Sequence, residues 1–96
     1  MITHLEFINS LKSETPPTNQ VRPYLLALWY AYRGDWHQAH GLVEELKDQK
    51  AAHVHAYLHR VEGDDWNAGY WYRKAGVPIP VVSLDEEWTI LVKQMI

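Results

Sequence analysis

Apolar residues recur along most of this chain with the period of an α-helix. In the first segment, Ile2, Leu5, Ile8 and Leu11 stand three residues apart, the spacing that places them on one helix face. The same analysis predicts helices over residues 2–12, 23–33, 36–47, 51–62, 65–75 and 84–95. The prolines of the one strand-like stretch, VPIPVV, exclude a central strand there. The pattern therefore predicts an all-α fold.

The predicted helices are separated by residues that favour turns. Loops are expected at 13–20, 48–50 and 76–82, and Gly34-Asp35 and Gly63-Asp64 form two tight breaks. In each break the glycine can end one helix and the aspartate can cap the next. Consecutive helices joined so closely are expected to fold back on each other as hairpins.

The apolar stripe of each helix predicts which residues form the core. The helix at 23–33 is apolar almost all round, so it is expected to be the most buried. Later helices are amphipathic, and their predicted inward residues are Ala39, Leu42, Val43 and Leu46, then Val54, Tyr57, Leu58 and Val61, then Ala68, Trp71, Tyr72 and Ala75, and finally Trp88, Leu91, Val92 and Met95.

The chain contains an internal repeat. A shift of twenty-nine residues places Gly34-Asp35 on Gly63-Asp64 and Ala39 on Ala68. In both copies a helix, a Gly-Asp turn and a small residue follow each other, and the small residue lets two helices approach closely. This self-similarity indicates two helical hairpins.

The repeat resembles the tetratricopeptide family. GDWHQA and GDDWNA are similar to that family's turn and second-helix start, and Ala68, Tyr72, Ala75 and Pro80 match its later spacing. The resemblance covers about residues 20–80, although the family period is about 34 residues. The length of 96 residues predicts a single domain, 1–96. The resemblance implies a right-handed stack of two such hairpins, flanked by N- and C-terminal helices that act as caps. It also implies binding of a peptide or protein.

Residues 53–76 additionally resemble a group of small bacterial proteins, and this second resemblance brings no assigned activity.

Composition narrows the functional classes to which the protein can belong. The net charge is −3 and the basic residues are scattered, which argues against a nucleic-acid surface. No cysteine is present, so disulfides and thiolate chemistry are excluded. The start has no secretion leader, and the longest apolar run, Tyr24–Tyr32, is too short to span a membrane. We therefore expect a cytoplasmic protein without a membrane partner.

Histidines provide the most suggestive chemical grouping. His55 and His59 stand four apart, with Glu62 three further on, so all three share a helix face and could bind a metal. His37 and His40 form a weaker pair on the preceding helix. No HExxH motif is present, and the His55 face lies opposite the predicted inward stripe. The sequence therefore favours a solvated or hydrogen-bonded face over a metal site.

Other catalytic groupings are weak. Ser83 is part of a capping box with Glu86, and the remaining serines lie in or beside polar loops. Paired carboxylates such as Glu44-Glu45 point apart on a helix, and the isolated glycines form no phosphate loop. We therefore expect no enzymatic activity and no cofactor.

Aromatic residues beside arginines suggest a binding surface. The candidate partner-binding residues are Trp66, Tyr70 and Arg73 on one stripe and, by analogy with the repeat family, Tyr24, Tyr32, Tyr57 and Arg60 on a concave face. The leading functional hypothesis is a non-enzymatic interaction module or small scaffold that binds a protein, a peptide or a second copy of itself. The alternative is a metal-binding protein, including a metal-dependent hydrolase, that uses His55, His59 and Glu62.

Overall fold

A computed structural model describes residues 2–17 and 21–96, and every regular element in these ranges is an α-helix. The helices are α1 (His4–Ser10), α2 (Pro23–Tyr32), α3 (Trp36–Val43), α4 (Gln49–Val61), α5 (Asp65–Ala75) and α6 (Leu84–Met95). The all-α prediction is confirmed for the described ranges, which hold no strand. The last three residues of the predicted 13–20 loop lie outside them. None of the described helices has the length and apolarity needed to cross a membrane.

The two Gly-Asp breaks have the same geometry, as the repeat predicts. Gly34 and Gly63 have φ values of +80° and +82°, in the left-handed region that favours glycine. The Asp35 and Asp64 carboxylates accept hydrogen bonds from backbone N–H groups three residues on, at 3.3 and 3.1 Å, and so cap α3 and α5. These turns place α3 against α2 and α5 against α4.

Helix α4 lies at the centre of the fold. It contacts α2, α3, α5 and α6, and its residues 51–59 are buried except for the half-buried His53. The expectation that α2 would be the most buried helix is therefore wrong, because α4 is covered on more sides. Ala39 and Ala68 are 0% and 4% exposed, as their predicted role at close helix contacts requires.

Several details of the predicted pattern differ from the structure. In α1, Phe7 is fully buried, whereas Leu5 is 68% exposed. The Phe7 ring packs 6.2 Å from that of Trp88, so the aromatic residue rather than the leucine sets the orientation of this short helix. Val61 is exposed at the end of α4, and α3 ends at Val43 rather than at residue 47.

Helix α6 is attached to the hairpins by buried polar contacts. The Glu87 carboxylate accepts hydrogen bonds from Arg60 Nη1 at 2.8 Å and from the Tyr72 hydroxyl at 2.6 Å. Arg60 also donates to the carbonyl oxygen of Val82, and the Trp88 indole N–H donates to that of Leu28 at 2.8 Å. Burial and the Glu87 carboxylate raise the pKa of Tyr72, so its phenol remains a donor.

Candidate metal centre

Three histidines from the two predicted hairpins meet where α3 packs against α4, with His55 and His59 buried and His40 half-buried. His40 comes from α3, and His55 and His59 come from successive turns of α4. One ring nitrogen from each lies within 4.8 Å of the other two. His40 Nε2 and His55 Nε2 are hydrogen-bonded at 3.0 Å. The cluster therefore lies between the helix that ends one Gly-Asp hairpin and the helix that begins the next.

Trp36 holds α3 in the position that brings His40 to α4. Its indole N–H donates to the carbonyl oxygen of Leu58 at 2.7 Å. The Trp36 ring also stacks on His40, with centroids 4.6 Å apart and planes 12° apart. Because His55 and His59 stand four residues apart on α4, one face of that helix presents both rings to this contact.

Two of the histidines are oriented by carboxylates. Glu44 Oε2 lies 3.2 Å from His40 Nδ1, and Glu62 Oε1 lies 2.7 Å from His59 Nδ1. Each carboxylate occupies the Nδ1 side of its ring and leaves Nε2 as the remaining nitrogen. Metal-binding histidines commonly have such a carboxylate on the nitrogen that does not bind the ion, because it fixes the tautomer and the ring orientation.

The surroundings keep His55 neutral at physiological pH. His55 is 4% exposed, and its ring stacks on Trp71 with centroids 3.9 Å apart. Burial, helped by the neighbouring His40 and His59 rings, lowers the pKa of His55 to about 4. Burial also lowers the pKa of His40, although Glu44 opposes that shift. Neutral imidazoles have the free lone pair that a metal ion requires.

The spacing of the rings suits a small ion. At zinc–nitrogen distances of about 2.0–2.1 Å, two tetrahedral ligands have nitrogens roughly 3.3 Å apart. The 3.0 Å between His40 and His55 is close to that separation. The ligand atom of His59 lies within 4.8 Å of those of His40 and His55. The cluster can therefore form three sides of a tetrahedral site.

Part of this cluster was expected from the sequence. The predicted residues His55, His59 and Glu62 lie together, with Glu62 beside the Nδ1 atom of His59. The sequence hypothesis did not combine them with His40, while His37 is exposed and lies outside the cluster. The histidine face of α4 was expected to be solvated or hydrogen-bonded. It is buried under α3 and α5, and its rings are hydrogen-bonded, His55 with His40 and His59 with Glu62. The sequence did contain one indication that His40 lies near another helix: it directly follows Ala39, the residue predicted to contact a neighbouring helix.

The predicted partner-binding residues occupy several environments. Trp66 and Tyr32 are 77% and 61% exposed, Arg73 is exposed, and Tyr70 is partly exposed. Tyr24 and Tyr57 are largely buried, and Arg60 is bound to Glu87. A groove of about 400 Å³ is lined by Tyr32 and Tyr57 together with Ala31, Val61, Leu84, Asp85, Trp88 and Thr89. The structure thus joins two of the predicted residues in one groove and places Trp66, Tyr70 and Arg73 on α5.

A second cleft, of about 510 Å³, adjoins the histidine cluster. It is lined by Glu44, Glu45, Leu46, Lys47, Ala52, Trp71 and Lys74. Two of these residues also contact the cluster: Glu44 lies at the His40 ring, and Trp71 stacks on His55. Glu44 and Trp71 therefore belong both to the lining of this cleft and to the surroundings of the cluster.

No family model, curated protein or solved structure matches this chain. The tetratricopeptide resemblance therefore remains a prediction from the residues that carry it. The histidine geometry is the most specific chemical feature in the described residues on which a function can be proposed.

Proposed function

We propose that this protein binds a divalent transition-metal ion through His40, His55 and His59. The supporting observation is a cluster of three ring nitrogens within 4.8 Å, in which two rings have a carboxylate at Nδ1. The metal hypothesis from the sequence named His55, His59 and Glu62 as ligands. The present proposal adds His40 as a ligand, and Glu62 orients the His59 ring instead of binding the ion.

Hydrogen bonds satisfy only part of the cluster: His40 Nε2 and His55 Nε2 share one at 3.0 Å, and His59 Nδ1 and Glu62 share one at 2.7 Å. Burying polar groups without partners costs free energy, and a domain of this size has little stability to spare. His55 Nδ1 is buried and has no hydrogen-bond partner among residues 2–17 and 21–96. An ion at the Nε2 atoms would leave this Nδ1 unpaired, but its binding free energy would add to the stability of the folded state and so offset the cost of bringing the three imidazoles together.

The ligand type restricts the choice of metal. Imidazole nitrogen suits zinc, copper, nickel and iron, whereas magnesium and calcium prefer oxygen ligands. The chain contains no cysteine that would favour a thiolate metal site. Zinc and nickel are therefore the first ions to test.

The test is isothermal titration calorimetry of the metal-free protein with zinc and nickel, together with thermal denaturation. We expect one ion per chain, and stabilisation by about 2.7 kcal/mol when free metal reaches one hundred times the Kd. His40→Gln and His55→Gln should each abolish both effects. His37→Gln is the matched control, since it removes an exposed histidine from the same helix as His40. Absence of binding by the unmodified chain, or equal loss in the His37 control, would contradict the proposal.

We also propose, as a second function, the interaction module expected from the sequence, built as a right-handed stack of two tetratricopeptide-like hairpins. The equivalent Gly-Asp turns and the burial of Ala39 and Ala68 support this arrangement. The 77% exposure of Trp66 favours a partner surface on α5, because large aromatic residues are enriched at interfaces. A protein, a peptide or a second copy of the chain would contact this surface.

The interaction proposal is tested by light scattering and by affinity capture with the unmodified chain and with Trp66→Ala and Tyr70→Ala. We expect these variants to lose the oligomer or the captured partner while their helical circular dichroism stays unchanged. Ile90→Ala is a control, because it removes an exposed apolar side chain from α6 instead of α5. If the variants and the unmodified chain have the same mass and capture the same proteins, α5 is not the interface.

A further inference from the structure

We infer that the groove between the ends of α2, α4 and α6 binds a small organic cation with a quaternary ammonium group. This groove is lined by the rings of Tyr32, Tyr57 and Trp88 and by Asp85. None of the clustered histidines lines it. The inference therefore goes beyond the proposed metal binding and does not depend on it.

Three aromatic side chains from three helices meet in this groove. Tyr32 ends α2, Tyr57 belongs to α4 and Trp88 to α6. The Tyr32 side chain is 61% exposed, and its ring lies against that of Trp88, with centroids 5.1 Å apart. Aromatic rings attract cations, and sites that combine several rings are the usual binding sites for quaternary ammonium groups. The groove contains the side chains that such a site needs.

The rest of the lining suits a cation that has no hydrogen-bond donors. Ala31, Val61 and Leu84 are apolar, and the Thr89 hydroxyl already donates to the backbone carbonyl of Asp85 at 3.1 Å. A lysine ammonium brings three N–H donors and an arginine guanidinium brings five, and these need acceptors. A quaternary ammonium has none to satisfy. The groove volume of about 400 Å³ is within the range of small-molecule sites.

Asp85 supplies the negative charge that complements such a cation. It is the one charged residue of the lining, and no ion pair of the described residues includes it. Burial, together with the Glu87 and Asp85 carboxylates, raises the pKa of Tyr57 to about 12, although Arg60 opposes the shift. Glu87 is neutralised by Arg60 at 2.8 Å. The Asp85 charge is therefore left for a ligand in the groove.

The helix ends at the groove also favour a cation. Helix α2 ends at Tyr32 and α4 ends at Val61, so the negative ends of both helix dipoles lie at the lining. Helix α6 begins there at Leu84 and brings its positive end. That partial charge is outweighed by the full charges of Asp85 and Glu86 in its first turn.

In the described residues, no basic side chain of the protein occupies this position. Arg33 and Lys74 make the cation–π contacts of residues 2–17 and 21–96, and neither contacts a ring of the groove. Arg33 directly follows α2, but it lies over Trp29 and donates to the carbonyl oxygens of Leu11 and Ser13. The three rings of the groove thus have room for a cation from outside the chain.

The experiment is an NMR titration of the full chain with choline at constant ionic strength, followed at the signals of Tyr32 and Trp88. We expect both signals to shift saturably. Two further ligands are matched controls: the neutral analogue of choline in which carbon replaces nitrogen, and betaine, which adds a carboxylate that Asp85 repels. Each should bind about fivefold more weakly than choline, roughly the effect of one nearby charge at the surface.

Variants separate the ring and the charge from general packing. Tyr32→Leu keeps an apolar side chain but removes the ring, and should weaken choline binding about fivefold, whereas Tyr32→Phe should bind choline as the unmodified chain does. Asp85→Asn should weaken binding about fivefold. Asp65→Asn, which removes an exposed carboxylate from the first turn of α5, should leave binding unchanged. Helical circular dichroism checks that each variant is folded.

Four outcomes would overturn the inference. If choline produces no saturable shift, the groove is not a quaternary ammonium site. If the neutral analogue binds as tightly as choline, the groove selects shape and not charge. If a peptide with trimethylated lysine binds and choline does not, the ligand is a modified protein and the small-molecule assignment is wrong. Equal effects of Asp85→Asn and Asp65→Asn would refute the role of the groove carboxylate.

Discussion

Acid should destabilise the metal-free protein through His55 before its carboxylates are protonated. The pKa of His55 is about 4 in the folded chain, against an ordinary value of 6.5. Above pH 6.5 both the folded and the unfolded chain are neutral at this position, so it makes no pH-dependent contribution. Between pH 6.5 and 4 the unfolded chain binds a proton that the folded chain does not, so the free energy of unfolding falls as pH falls.

The size of this effect follows from the difference between the folded and unfolded pKa values of His55. A tenfold change in proton affinity corresponds to about 1.4 kcal/mol, so the His55 contribution approaches about 3 kcal/mol at pH 4. Burial lowers the pKa of His40 and His53 as well, and both act in the same direction. A domain with a stability of about 5–10 kcal/mol would lose a substantial part of it.

The assay is urea unfolding at several pH values between 7.5 and 4.5, with a chelator present, followed by tryptophan fluorescence. His55→Gln should show a shallower decline in stability with falling pH, whatever its stability at pH 7.5. His4→Gln, at an exposed position in α1, should follow the unmodified chain. A stability that stays constant from pH 6.5 to 4.5, or the same slope in His55→Gln, would refute the reasoning.

Four further variants test the packing and the backbone conformation. Glu87→Ala should lower the free energy of unfolding in urea by about 3 kcal/mol, because it leaves the partly buried Arg60 without its ionic partner. A loss below about 1 kcal/mol would mean that water solvates Arg60 adequately in place of Glu87. Trp88→Phe should cost about 1 kcal/mol by removing a buried hydrogen bond, and an unchanged midpoint would contradict its role in holding α6. Gly63→Ala should destabilise the fold by about 1 kcal/mol, because φ at this position is +82°. Gly41→Ala should stabilise it by up to about 1 kcal/mol, because alanine favours a helix more than glycine does and nothing lies within 4 Å of the added methyl group. Opposite signs would show that the backbone argument is wrong.

Much of the fold could be predicted because its determinants are local. Apolar spacing identified all six helices, and the limits predicted for α5 and α6 coincide with those observed. The Gly-Asp breaks carry both the left-handed glycine and the capping carboxylate, so they define the two short turns from sequence alone. The stripes of α3 and α5 were predicted well because each helix is buried on one side. For α4 the predicted inward residues Val54, Tyr57 and Leu58 are buried, but the burial of its histidine face was missed, since a central helix is covered by neighbours that its own periodicity does not reveal.

The candidate site was harder to predict because it joins distant parts of the chain. The spacing of His55 and His59 shows that they share a face, but the third ring comes from His40, fifteen residues before His55. That contact depends on how α3 crosses α4, which is set by the Trp36 indole at the Leu58 carbonyl. Composition gives no indication of this long-range bond. The depressed pKa of His55 likewise depends on burial by Trp71, which belongs to another helix.

The attachment of α6 has a consequence for engineering the chain. Repeat arrays can usually be shortened or extended by whole units, because each unit contacts only its neighbours. Here a single terminal helix contributes both the acid that neutralises Arg60 and the indole that satisfies a carbonyl of α2. A fragment cut after Pro80 would retain both hairpins and lose those two groups from their interior. We therefore expect that fragment to be markedly less stable than the chain that includes α6, which argues against treating the two hairpins as exchangeable modules.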